Sequence, residues 1–94
     1  MDLSTWAAAS RGRQAWLARQ LERTEAQVSQ WCATPGSANW RQVPADMCPA
    51  IERETGGEVP CEELRPDLTW RRVEDRAWKW HRRGKPLLDL TVPA

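Results

Sequence analysis

Gln27, Ser29 and Gln30 place two amides and a hydroxyl within four consecutive positions. A glutamine amide can donate to and accept from one adenine edge in a DNA major groove, and a serine hydroxyl can serve a base or a phosphate. Gln30 is the better placed of the two amides. Beside them, Ala26 can pack on a thymine methyl. Glu25 can accept from a cytosine amine, although its charge repels phosphate. Such side chains read a groove only if a helix holds them away from a core.

The stretch from 11 to 33, RGRQAWLARQLERTEAQVSQWCA, supplies that helix and a second one to support it. Leu17, Ala18 and Leu21 recur at helical spacing and predict a first helix over 13–21. Thr24 is a good N-cap, and it predicts a second helix from there to about Ala33. Val28 and Trp31, three apart, form its inward face and leave Glu25, Ala26, Gln27, Ser29 and Gln30 outside. Two short helices with a tight turn between them follow the helix-turn-helix plan. The turn departs from that plan at two places. Glu22 stands where a left-handed backbone favours Gly, at about 1 kcal/mol of strain. Arg23 stands where an apolar residue commonly follows.

Ninety-four residues suit one small domain with an extension. Phe and Tyr are absent and Trp occurs seven times, so Trp supplies all the aromatic bulk. The net charge of +1 argues for no particular partner, but its distribution is uneven. Residues 11–33 carry four Arg against two Glu, or +2. Residues 44–65 carry six acids against two Arg, or −4, and residues 66–85 carry five Arg and two Lys against three acids, or +4. Cys32, Cys48 and Cys61 form no CxxC pair, and with His81 as the one histidine they make no zinc set. They read as small core hydrophobes in a reducing cytoplasm. No run of apolar residues reaches a membrane-spanning length. No nucleophile stands beside His81, and a Gly-rich phosphate loop is missing, so neither an enzyme nor a cofactor is expected.

Along the chain, residues 2–10 predict a first helix with Leu3 and Trp6 on one face, ended by Gly12. Residues 34–43 (TPGSANWRQV) predict a loop. A further helix runs from Pro44 to Thr55 and is stopped by Gly56 and Gly57. Pro49 either kinks it or marks where its regular part begins. A short helical turn is predicted over 61–64, and beyond Pro66 the pattern weakens. Residues 68–73 are open between extended and irregular, and residues 86–93 suggest a short strand. The division expected is a helical domain over 1–66 and a basic, Trp-rich extension over 67–94. In that extension Trp78, Trp80, His81, Arg82 and Arg83 interleave aromatics with cations. The pattern is open between a grip on nucleic acid, by stacking on single strands or by tracking duplex phosphates, and tryptophans that pin the extension to the helices while the arginines stay in water.

The segments RGRQAWLARQL and VSQW, followed by VPADMCPAIERETGG and CEELRPDLTW, resemble the YdaS-type antitoxins and Cro-like regulators of phage and prophage origin. The resemblance covers roughly residues 3–73. It implies an all-α, four-to-five-helix, lambda-repressor-like domain, here with an irregular C-terminal extension, that binds operator DNA to regulate transcription. It also places Gln14, near the start of the first helix, on backbone phosphate, where the amides of that helix end would join it. Arg11, Arg13 and Arg41 are the nearby phosphate partners. The candidate DNA-contact set is Arg11, Arg13, Gln14, Thr24, Glu25, Ala26, Gln27, Ser29, Gln30 and Arg41.

The expected function is a cytoplasmic, nucleoid-associated DNA-binding regulator, a repressor acting as a homodimer on double-stranded operator DNA. The rival is a protein-interaction module that keeps the fold without specific DNA binding, with a toxin or a host protein as partner. A positive stripe joining Arg11, Arg13 and Arg41 distinguishes the first. Exposed Trp16, Trp40 or Trp78 in one apolar patch distinguishes the second.

Overall fold

The computed structural model describes residues 1–90. Helix α1 (Leu3–Ala8) starts at Asp2, whose carboxylate accepts the Thr5 N–H at 2.7 Å. It is shorter than expected, because the chain already turns at Ser10 toward Gly12, whose φ of 85° only Gly adopts readily. Helix α2 (Arg13–Leu21) has the predicted bounds. It ends as the sequence implies: Glu22 takes a left-handed φ of 55°, and the Arg23 N–H turns back to the Ala18 carbonyl at 3.0 Å. Helix α3 (Glu25–Cys32) follows at once, with Thr24 as its N-cap.

Leu17 and Ala18 of α2 meet Val28 and Trp31 of α3 in a core completed by Trp6, Ile51, Val59 and the three cysteines. Cys32, Cys48 and Cys61 are all buried and unoxidised, as expected of small core side chains. Residues 34–44 form no regular element, and Pro44 then leads into a 3-10 turn, Ala45–Met47. Helix α4 (Cys48–Glu54) starts only there, with Pro49 in its first turn, where the missing N–H has no helical partner to lose. Helix α5 (Cys61–Leu64) is a single turn.

Within residues 67–90 the extension is not wholly irregular, and the all-α expectation is corrected; the short strand expected over 86–93 is found over 85–88, and residues 91–93 lie outside the described residues. Strands β1 (Trp70–Val73) and β2 (Lys85–Leu88) pair antiparallel, so a small two-stranded sheet joins a mainly helical fold. The pattern misleads because the polarity of β1 is inverted. Trp70 and Arg72 face the helices, whereas Arg71 and Val73 face outward. Arg72 can turn inward because Glu52 of α4 and Glu62 of α5 accept its guanidinium at 2.6 Å each. Pro86, opposite Arg72, is buried beside it. Gly57 completes the seat, since a Cβ there would overlap the Trp80 carbonyl.

Candidate functional site

The turn between α1 and α2 opens a groove of about 740 Å³ against the first turns of α3. Six of the ten residues singled out from sequence line it: Arg11, Arg13, Gln14, Glu25, Ala26 and Ser29. Gly12 brings them together, because the reversal it permits sets the start of α2 beside the start of α3. Ser10 also lines the groove. It was missed because the run of alanines before it reads as continuous helix; the Ser-Arg-Gly sequence was the available signal for an earlier stop.

The start of α2 carries no side-chain cap, so its first-turn amides lack a partner of that kind. Helix N-termini of this sort carry partial positive charge and accept anions. Arg11 is exposed beside them and forms no ion pair among the described residues. Arg13 is less free. Its guanidinium donates to the Trp6 carbonyl at 2.8 Å and lies 4.7 Å from the centre of the Trp6 ring, a cation–π contact that ties α1 to α2.

On α3 the outer face is polar or small, as predicted. Glu25, Ala26, Gln27, Ser29 and Gln30 are exposed, while Val28 and Trp31 are buried. Thr24 and Gln27 form a capping box: the Thr24 hydroxyl accepts the Gln27 N–H, and the Gln27 amide oxygen accepts the Thr24 N–H, both at 3.2 Å. Gln27 therefore has its amide N–H groups left to offer outward, with its oxygen occupied at the helix start. Gln30 lies outside the groove lining, further along the same helix.

Arg41 stands apart from the groove. Its backbone N–H donates to the Gln30 carbonyl at the other end of α3, and its guanidinium folds onto the Ala38 and Trp40 carbonyls at 3.3 and 2.8 Å. The stripe Arg11–Arg13–Arg41 is thus not continuous. Nor do the tryptophans form one patch. Trp16 is exposed beside Trp6, Trp40 lines a separate 250 Å³ hollow with Trp31 and Leu3, and the Trp78 indole donates to Glu52 at 2.8 Å. Among the described residues no cluster could hold a metal ion, and no helix is long and apolar enough to cross a membrane.

A small helical module whose polar helix face borders an amide-rimmed, cation-flanked groove is the class this geometry defines. The chain belongs to the family described as "Bacterial toxin YdaS", which it matches over residues 5–73. It is 51% identical over 59 residues to a protein of Escherichia coli (strain K12) named "Putative transcriptional regulator YdaS", a stretch covering 63% of this chain and 55% of the relative. The chain thus spans about half the length of the curated relative it matches. No solved structure matches it. The two descriptions differ, one speaking of a toxin and the other of a regulator.

Proposed function

We propose that the protein is a sequence-specific DNA-binding transcriptional regulator in which α2, the turn at Glu22 and α3 act as a helix-turn-helix unit. The carrying observation is the groove itself. It sets the uncapped start of α2, with Gln14 and Arg11, next to the exposed face of α3, so that a phosphate and a base edge can be met from one surface. Ser29, Gln30 and the amide group of Gln27 would contact bases, with Ala26 against a thymine methyl. Glu25 opposes the phosphates nearby, which makes α3 a reader of bases more than a source of affinity. The name of the Escherichia coli relative supports the regulatory part of the reading. A homodimer on a two-fold operator, with half-sites about 34 Å apart, suits a unit with one such helix per chain, and occluding a promoter would make it a repressor.

Fluorescence anisotropy on the DNA upstream of the protein's own gene, against scrambled duplex, tests this. A preference of about a hundredfold or more that survives added salt is expected. Ser29→Ala with Gln30→Ala should abolish that preference, and unchanged specific affinity in the double variant would sink the reading. The second reading, a protein-interaction module with a toxin-related role, rests on the family description. It predicts no preference for any duplex and capture of a protein partner instead.

A further inference from the structure

The interleaved tryptophans and cations of the hairpin separate in the fold into two sets. Trp78 donates its indole N–H to Glu52, and Trp80 meets the Trp78 ring edge-on with centroids 4.9 Å apart. Trp70 lies against the core and donates to the Arg65 carbonyl at 3.2 Å. All three rings are half-buried. The cations are the opposite case. Arg71, Arg76, Lys79, Arg82, Arg83 and Lys85 are exposed, and none forms an ion pair with a described residue. Against them stand three carboxylates: Glu74, Asp75, which accepts the Ala77 N–H of its own turn at 2.9 Å, and Asp89, just past β2 with its N–H on the Thr69 carbonyl. Arg72 alone is drawn inward to Glu52 and Glu62.

We infer that the β1–β2 hairpin is a second nucleic-acid contact, a sequence-independent binding surface for the phosphates of duplex DNA, separate from the α2–α3 groove. A single-strand grip needs open aromatic faces on which bases stack, and here the rings are turned inward or against each other. What remains outside is charge, and charge alone suits a phosphate backbone. The pairing of β1 with β2 sets Arg71 and Lys85 on the same outer face, since Arg71 lies opposite Leu87 and Val73 opposite Lys85. Arg82 and Arg83 are the central residues of the turn that the Gly84 N–H closes onto the His81 carbonyl, and they extend the cationic surface toward the end of the hairpin. Burying Arg72 with two glutamates keeps the sheet fixed on α4 and α5, so Arg71 and Lys85 are presented by an anchored strand pair, while the Trp78–Glu52 hydrogen bond ties the connection that carries Arg76, Lys79, Arg82 and Arg83 to the same carboxylate.

The test uses a fluorescein-labelled random-sequence duplex and the whole chain, between 50 and 200 mM salt. The comparison is with the triple variant Lys79→Gln, Arg82→Gln, Arg83→Gln, whose three side chains are exposed and outside every ion pair that holds the fold. The variant should bind random duplex about tenfold more weakly at low salt. Its slope of log K against log salt should fall by about two to three, near 0.9 for each phosphate no longer engaged. The preference for upstream DNA over random duplex should stay as it is, because that ratio reads α3. Disappearance of the ratio in the Ser29, Gln30 double variant, with random-duplex binding intact, separates the two surfaces. Unchanged affinity and slope in the triple variant would overturn the inference. So would tighter binding of single strands than of duplex, or a weakening in the triple variant confined to anionic lipid vesicles.

Discussion

The guanidinium of Arg72 lies against both oxygens of Glu52, at 2.8 and 2.6 Å, although the two residues stand twenty apart in sequence. The same carboxylate accepts the Cys61 N–H at 3.0 Å and the Trp78 indole at 2.8 Å. One buried anion thus joins α4, the start of α5, β1 and the segment that links the strands. Both charged side chains are almost wholly removed from water. A pair of this kind adds little over an apolar replacement of both partners, but removing one leaves a bare buried charge.

Replacing Arg72 by Met should therefore destabilise the protein by about 3–5 kcal/mol. The pair also sets a response to acid. Burial disfavours the charged form of Glu52, but the Arg72, Cys61 and Trp78 hydrogen bonds outweigh it and hold the carboxyl below its ordinary 4.5. Glu62 is held low in the same way, with burial opposing and Arg72 prevailing. A carboxyl whose folded pKa is depressed contributes stability above its unfolded pKa and loses it as pH falls through the folded value. Urea midpoints should thus be flat from neutrality to about pH 5 and fall below pH 4.5. In Glu52→Gln the drop between pH 7 and pH 3 should be smaller than in the parent protein. An equal drop in both would show that the acid response lies elsewhere.

Glu22 is the sole non-glycine residue with positive φ among the described residues, at 55°. It is exposed, and the turn it forms sets α3 against α2. Glycine reaches this conformation without the Cβ conflict, so Glu22→Gly should raise stability by about 1 kcal/mol. Thermal unfolding followed by helical circular dichroism checks the sign. The residues proposed to contact DNA are untouched, so a change in duplex binding larger than the change in stability would mean that Glu22 also sets the angle of α3.

Burial pushes the Cys32 thiol up to about 11 and Cys48 up to about 12, and it raises Cys61 further still. Thiolates are the reactive form, so at pH 8 the three thiols should resist iodoacetamide in the folded protein. Mass spectrometry should show little adduct over an hour in buffer and triple alkylation within minutes in strong urea. Rapid single labelling in buffer would identify a thiol more open than the fold implies.

The α2–turn–α3 unit was legible because every signal in it is local. Apolar spacing over a few residues, an N-cap Thr, and a turn whose left-handed residue must fall just after Leu21 are all decided within one or two helical turns. The same locality picked out Trp6, Trp31 and the cysteines as core. It could not say which polar groups stay free. Whether the Arg13 guanidinium is available depends on Trp6, seven residues away, and whether Arg41 reaches the groove depends on how the loop closes onto Gln30.

The sequence suggests a short strand within 86–93 and leaves 68–73 open, but the pairing of the two and the face each turns inward were decided by tertiary structure. Four-residue strands carry too short a pattern to read, and β1 buries an arginine while exposing a valine. That inversion is favourable only because α4 and α5 hold two glutamates opposite it, Glu52 and Glu62, twenty and ten residues back along the chain. Periodicity records where apolar side chains recur. It does not record which distant charge will neutralise a buried one, and here that neutralisation chose the register and left the remaining cations outside.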